Sequence, residues 1–222
     1  MKKICFVLTF LIVLVSGCGK QEVQLPIIEI AGITEIQNHS SIWIFYKEQN
    51  GDASAILNKN NKIINTHWIF NIDKRLSMKA IVPHLIDLQE NRDKDSMHKK
   101  GDMLSYFSYA DTSLNQISLT PFLPVVFATE EEEFDNLEVI EDTYLSVLEI
   151  ADEFVKLNNK TIDLKRLKSA LDALQKDNRV KNSMVRIKYN EDTRYQSYLQ
   201  TKVYLTANQI ATMPVEYMFS IN

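Results

Sequence analysis

Short runs rich in β-branched and aromatic residues, separated by polar turn residues, recur along this chain and favour strands. Residues 42–46 are rich in β-branched and aromatic side chains, so they are predicted to form a strand. The Asn50-Gly51 pair that follows is typical of a hairpin turn, and residues 53–58 are therefore predicted to pair back. Further strand-like runs cover residues 63–72, 103–109, 116–119, 144–150, 154–157, 183–189 and 216–221.

Three stretches instead suggest helices. The first contains Met78, Ile81, Val82, Leu85, Ile86 and Leu88, with Ser77 as its predicted cap. Pro83 lies inside this pattern and would cost about 3 kcal/mol in a helix interior, so we expect either a kink or a helix that begins near Pro83. The clearest pattern is Leu164, Leu167, Leu171 and Leu174, capped by Asp163. Residues 195–207 form the third stretch.

These elements predict an α+β protein made of two small α/β-sandwich-like domains, with mostly short antiparallel strands and helices on one face. Pro121 and Pro124 mark a boundary, and the run Glu130–Glu133 opposes compaction because four like charges are adjacent. We therefore place a linker at residues 129–142, between an N-terminal domain at 38–128 and a C-terminal domain at 143–222.

The two halves repeat a short series of landmarks. Asn60-Asn61-Lys62 in the first half parallels Asn158-Asn159-Lys160 in the second, and each precedes an apolar helix that ends in Leu-Gln. A divergent internal duplication explains this order. Two unrelated small domains are the alternative interpretation.

The first residues have the composition of a secretory signal peptide. Lys2-Lys3 precede an apolar run of about twelve residues, which is shorter than the roughly 20 that a membrane-spanning helix needs. The small residues Ser16-Gly17 stand directly before Cys18, an arrangement that resembles the lipobox of bacterial lipoproteins. The resemblance implies that residues 1–17 are removed and that Cys18 is lipidated. Residues 18–37 would then tether the folded part to the membrane.

Composition excludes several kinds of chemistry. The chain contains two cysteines, Cys5 and Cys18, so a mature chain with a lipidated Cys18 has no thiol for a disulfide, a nucleophile or a metal. Removal of Lys2 and Lys3 leaves 23 basic residues against 29 acidic ones, a formal charge of −6. Such a chain lacks the basic surface expected of a nucleic-acid-binding protein.

No constellation of residues predicts an active site, a metal site or a cofactor. The histidines, His39, His67, His84 and His98, include no pair at the spacing of helical zinc ligands. The carboxylates Asp73, Asp111 and Asp192 follow predicted strands, where such groups usually cap a helix or turn.

The first half contains a set of aromatic residues, namely Trp43, Phe45, Trp68, Phe70, Tyr106, Phe107 and Tyr109. Core packing is the favoured interpretation of this set, and a ligand groove is the alternative.

Residues 144–207 run strand, turn, strand, Asn-Asn-Lys turn, leucine-spaced helix, strand and helix. This order resembles the periplasmic domain of the ExbD and TolR proteins, a small sheet with helices on one face that works beside a proton-driven membrane motor. Members of that family also carry a transmembrane helix with an aspartate, whereas the apolar run of this chain contains no acidic residue. The resemblance therefore implies a fold and a partnership with envelope machinery, without proton transfer.

The sequence thus predicts a non-enzymatic, lipid-anchored envelope protein that binds another protein of an envelope membrane complex through exposed sheet edges. A lipoprotein that binds glycan or peptidoglycan is the alternative. The expected location is the outer membrane, on its periplasmic or surface face, rather than the inner membrane.

Overall fold

The computed structural model describes residues 22–49, 51–94, 103–131 and 141–220, and these residues form two mixed sheets with three α-helices. The signal peptide, Cys18 and most of the predicted linker lie outside the described residues. The strands are β1 (Ile27–Ile28), β2 (His39–Gln49), β3 (Asp52–Leu57), β4 (His67–Ile72), β5 (Ser105–Asp111), β6 (Gln116–Phe122), β7 (Val126–Ala128), β8 (Thr143–Ile150), β9 (Val155–Leu157), β10 (Lys160–Ile162), β11 (Asn182–Asn190) and β12 (Ala211–Phe219). The helices are α1 (Met78–Lys94), α2 (Leu167–Asp177) and α3 (Tyr195–Ala207). Within this part of the chain, no helix is both long enough and apolar enough to cross a bilayer.

The first sheet has the order β3-β2-β4-β5-β6, and β1 pairs with the end of β5. Strands β2 and β3 form the predicted hairpin, with Gln49 opposite Asp52. Gly51, in the turn between them, has a φ of 87°, a backbone angle that glycine adopts without steric cost. Strands β2, β4 and β5 run parallel to one another.

The second sheet has the order β10-β9-β8-β11-β12-β7. Strands β8, β11 and β12 are parallel neighbours, with α2 in the connection from β8 to β11 and α3 between β11 and β12. Both connections advance in the same direction across the sheet. Because such crossovers are almost always right-handed, α2 and α3 lie on the same face.

The two sheets share a common arrangement. In each, a hairpin lies beside a parallel strand, and a helix leads to a third parallel strand, giving β3-β2-β4-β5 and β9-β8-β11-β12. The α+β class with two sheet domains is therefore confirmed. The expectation of mostly antiparallel strands was wrong for the centre of both sheets, because each central strand returns through a crossover connection that restores its direction.

The helices begin close to the predicted residues. Asp163 accepts a hydrogen bond from the Lys165 backbone N–H at 2.9 Å, at the start of a 3-10 turn that leads into α2. Helix α3 has the predicted bounds. Helix α1 begins at Met78 and carries Pro83 inside it, on its exposed side, so the alternative of a helix that begins near Pro83 was wrong.

Residues 22–37, which the sequence assigns to the tether, pack against the first sheet in this structure. Ile27 and Ile28 pair with β5, and Ile33 exchanges two backbone hydrogen bonds with Leu119 at 2.8 and 3.0 Å. The Tyr109 hydroxyl donates to the Ile30 carbonyl at 3.0 Å. This segment also covers Ile69, Tyr106 and Leu119 on the outer face of the sheet.

Helix α3 lies between the two sheets and belongs to both cores. Its residues Tyr195 and Tyr198 are fully buried. The ring of Tyr195 contacts Phe107 of the first sheet at 5.8 Å between centroids, and the ring of Tyr198 contacts Tyr189 of the second sheet at 5.4 Å. The buried apolar residues of both halves consequently form one continuous core.

Backbone hydrogen bonds join the two halves where α1 and α3 begin. The Met78 N–H donates to the Thr193 carbonyl at 2.9 Å, and the Tyr195 N–H donates to the Leu76 carbonyl at 2.8 Å. The first N–H groups of a helix have no partner within that helix. Some of the first N–H groups of α1 and α3 thus find their hydrogen-bond acceptors in the other half of the chain.

Candidate functional site

The outer strands of the two sheets differ in how well they resist pairing with another chain. Strand β6 is bonded to Ile33 on its outer side, and β7 and β10 contain three residues each. Strand β3 has six residues, an unbroken register with β2, no proline, and Asp52 as its single charged residue. Exposed edges are usually protected by shortness, charge, proline or a bulge, so β3 is the least protected of these edges.

Helix α1 identifies which residues of β3 face outward. The His84 Nε2 atom lies 3.3 Å from the Ala55 carbonyl oxygen. In an antiparallel pair, alternate residues direct their backbone groups to the partner strand and away from it. Ala53 and Leu57, two residues to either side of Ala55, therefore also present their backbone groups at this edge. The Ala55 carbonyl between them is already bonded to His84, so the free backbone groups of the edge are those of Ala53 and Leu57.

Most of the aromatic residues that the sequence singles out are core residues. Those that are buried are Trp68, Phe70, Tyr106, Phe107 and Tyr109. Trp43 and Phe45 are half-buried, and their rings stack at 6.3 Å with an interplanar angle of 13°. They alternate along β2 with the buried Ile42 and Ile44, so they lie on the opposite face of the sheet.

Two adjoining cavities lie along the segment before β7, the larger against α1 and the first sheet, and the smaller against α3 and the start of β12. Their volumes are about 580 Å³ and about 380 Å³, and both are lined by Phe122, Pro124, Val125 and Pro214. We call the two together the junction groove. The Gln89 side chain donates to the Val125 carbonyl at 3.1 Å and accepts from its N–H at 2.9 Å, which holds the shared wall in place.

Arg92 lies on the wall of the larger cavity and is only 8% exposed. Its guanidinium lies 4.3 Å above the Trp68 ring and donates to the carbonyls of Ile64, Thr66 and Leu104 at 3.2, 3.0 and 3.3 Å. Burial lowers the pKa of Arg92. The sequence did not single out this residue, since a lone arginine near the end of a helix normally lies at the surface.

Asp73 is a fully buried carboxylate that organises the turn before α1. It accepts from the Arg75 side chain at 2.7 and 2.8 Å and from the backbone N–H groups of Gln24 and Arg75 at 3.0 Å. Burial raises the pKa of Asp73, but the hydrogen bonds from Arg75 and Gln24 outweigh it, and the pKa is lowered. The predicted capping role of Asp73 is confirmed.

Asp111 closes the turn between β5 and β6. It accepts from the backbone and hydroxyl of Ser113 at 2.8 and 2.6 Å and from the Ser118 hydroxyl at 2.9 Å. The bonds from Ser113 contribute most to the lowered pKa of Asp111. Asp192, the third candidate, is exposed in the turn before α3.

The described histidines make separate contacts. The His39 Nδ1 atom lies 2.8 Å from the Ile36 carbonyl, and the His67 Nδ1 atom accepts from the Leu104 N–H at 3.0 Å. His98 lies outside the described residues. No three His, Cys, Asp or Glu side chains in the described part of the chain are grouped as metal ligands would be.

A buried ion pair lies between α3 and β12. Glu216 is fully buried and accepts from the Lys202 ammonium at 2.6 Å and from the Tyr198 hydroxyl at 2.9 Å. Burial, with a smaller effect of Glu216, raises the pKa of Tyr198 well above its ordinary value. The sequence does not pair these residues, because Lys202 and Glu216 lie on different elements.

Comparison of the chain with models of protein families, with curated proteins and with solved structures finds no match. Two features of the fold itself are suited to binding, the edge of β3 and the junction groove.

Proposed function

We propose that this chain is a non-enzymatic, lipid-anchored protein of the bacterial cell envelope that binds another protein of an envelope complex by adding a strand to β3. The supporting observation is the six-residue β3 edge, which has no proline and a single charged residue, Asp52. Such an edge offers backbone donors and acceptors to an extended segment of a partner.

The second sheet supports the proposed link to envelope machinery. The ExbD and TolR periplasmic domain is a small sheet with helices on one face, and β8–β12 carry α2 and α3 in that manner. We therefore propose a partnership with an envelope membrane complex at the outer membrane.

The β3 edge is tested by changing its outward-facing backbone. Ala53→Pro removes one N–H that a partner strand would use, whereas Ala53→Val keeps this donor at the same exposed position. Loss of one such bond predicts about tenfold weaker partner binding. The assay is crosslinking in intact cells followed by mild detergent extraction and mass spectrometry.

The outcomes of this experiment are distinct. Ala53→Pro should reduce the crosslinked partner, and Ala53→Val should retain it. If wild-type protein is extracted as a partner-free monomer, or if both variants behave like wild type, the strand-addition proposal is wrong.

The lipid anchor is tested separately at Cys18, which lies outside the described residues. Metabolic labelling with a palmitate analogue should mark the wild type and not Cys18→Ala. Equal labelling of the two would contradict lipidation at this cysteine. Two acyl chains would be enough for stable anchoring, where one is marginal.

The stacked Trp43 and Phe45 pair supports a second candidate, binding of glycan or peptidoglycan, because sugar rings pack on aromatic faces. Trp43→Ala and Phe45→Ala should each weaken retention on isolated cell wall, while Leu123→Ala, an exposed apolar residue elsewhere, should not. Retention that is equal for all three variants would eliminate this candidate.

A further inference from the structure

Beyond binding a protein partner, we propose that the larger cavity of the junction groove binds a single-chain amphiphile with a carboxylate head, such as a fatty acid. In this arrangement the carboxylate lies against Arg92, and the hydrocarbon chain follows the apolar wall.

The cavity contains a buried positive charge, the guanidinium of Arg92. Of the five N–H donors of a guanidinium, three in Arg92 are bonded to backbone carbonyls. The Nε atom has no partner among the described residues but is itself enclosed, so the second N–H of Nη1 is the donor left for a ligand in the cavity. Buried charges are normally paired, because an unpaired one is costly. Glu90 also lines the cavity and has contacts of its own. An anionic head group would complete the environment of this cation.

The rest of the cavity wall is mainly apolar. It is formed mainly by Phe70, Ile86, Phe122, Val125, Val126 and Phe127. A volume of about 580 Å³ lies within the range of small-molecule sites, which combine an apolar lining with a few polar groups. The side-chain amide of Gln89 is already hydrogen-bonded to the backbone of Val125, so the wall has few hydrogen-bonding groups for a peptide backbone. A hydrocarbon chain requires no hydrogen-bond partner.

The fold contains its own reporter of this site. The chain has two tryptophans, Trp43 and Trp68, and Trp68 stacks on Arg92. In a Trp43→Phe background, emission therefore reports on Trp68 alone. The full chain, in a constant concentration of a maltoside detergent, is titrated with dodecanoate and in parallel with dodecanol, which has the same chain length and no charge. Dodecanoate should change Trp68 emission at about tenfold lower concentration than dodecanol, as one charge-assisted hydrogen bond predicts.

A variant at the rim tests the site and keeps the buried hydrogen bonds of Arg92 intact. Val126 lines the larger cavity and is 61% exposed, so Val126→Glu places a negative charge at the entrance. Ile117 is 57% exposed on another edge strand, and Ile117→Glu is the matched control. Val126→Glu should weaken dodecanoate binding about tenfold and Ile117→Glu should leave it unchanged. An unresponsive Trp68, equal binding of dodecanoate and dodecanol, or equal effects of the two variants would overturn the proposal.

Discussion

Replacing Lys202 by methionine is expected to destabilise the protein strongly, because it leaves the Glu216 carboxylate buried without its cation. Glu216 is fully buried, and the Lys202 side chain is 18% exposed. Removal of one member of a buried pair typically costs about 3–5 kcal/mol. The partial exposure of Lys202 places the expected loss near the lower value, about 3 kcal/mol, since water reaches the site.

The double variant Lys202→Met/Glu216→Gln isolates the interaction. It removes both charges while the Tyr198 hydroxyl keeps an acceptor, so most of the lost stability should return. Replacement of a whole buried pair is often neutral or stabilising, unlike removal of one partner. The sum of the two single losses should therefore exceed the loss in the double variant, as expected for contacting residues.

Urea unfolding at neutral pH, followed by far-ultraviolet circular dichroism, measures the free energy of unfolding for the wild type and the three variants. A loss below about 1 kcal/mol in Lys202→Met would refute the reasoning, because that is the value of an exposed ion pair. A double variant that is less stable than either single variant would also refute it.

Two further predictions concern the turn before α1 and the segment that covers the first sheet. Asp73 has a lowered pKa because of its hydrogen bonds with Arg75. Its contribution to the free energy of unfolding is therefore present above the unfolded-state pKa of about 4 and is lost as the pH falls through the folded-state pKa. Asp73→Asn should make the urea midpoint less dependent on pH in the acid range, and an unchanged dependence would contradict this. A Cβ added at Gly32 would lie 2.3 Å from the Tyr109 hydroxyl and 2.7 Å from the Leu119 carbonyl. Gly32→Ala should therefore lower the free energy of unfolding by about 1–3 kcal/mol. A thermal midpoint equal to that of the wild type would contradict this, because it would show that residues 22–37 can shift to accept the added methyl group.

Local features of the fold were predictable from the sequence because their causes are local. The Asn50-Gly51 pair predicts a hairpin, and Asp163 predicts the start of the leucine-spaced helix. In both cases the structure has the predicted element within a few residues. The extent of α3 also followed from residues 195–207 alone.

Strand directions and distant pairings were not predictable in this way. Strand β7 has three residues and pairs with β12, whose paired residues lie about ninety positions later. The sequence predicts a boundary at Pro121, whereas this residue lies in β6, opposite Tyr106. Proline is tolerated there because β6 is an outer strand. A period-two pattern shows that a segment is extended but contains no information about its neighbour.

The candidate sites were only partly predictable. The sequence suggested that sheet edges bind a partner, but which edge is unprotected depends on the final strand order. Arg92 carried no signal, because its burial depends on carbonyls of Thr66 and Leu104 that are distant in sequence. The paired position of Lys202 and Glu216 likewise exists only after α3 packs on β12.

The position of α3 has a consequence for synthesis of the chain. Phe107 packs on Tyr195, and the Met78 N–H is bonded to Thr193, yet these partners are translated long after the first sheet. A nascent chain that ends before residue 190 thus leaves part of the first core exposed to water. The protein is expected to acquire its stable form only once α3 has been made, and a premature stop before residue 190 should yield a chain that proteases degrade rapidly.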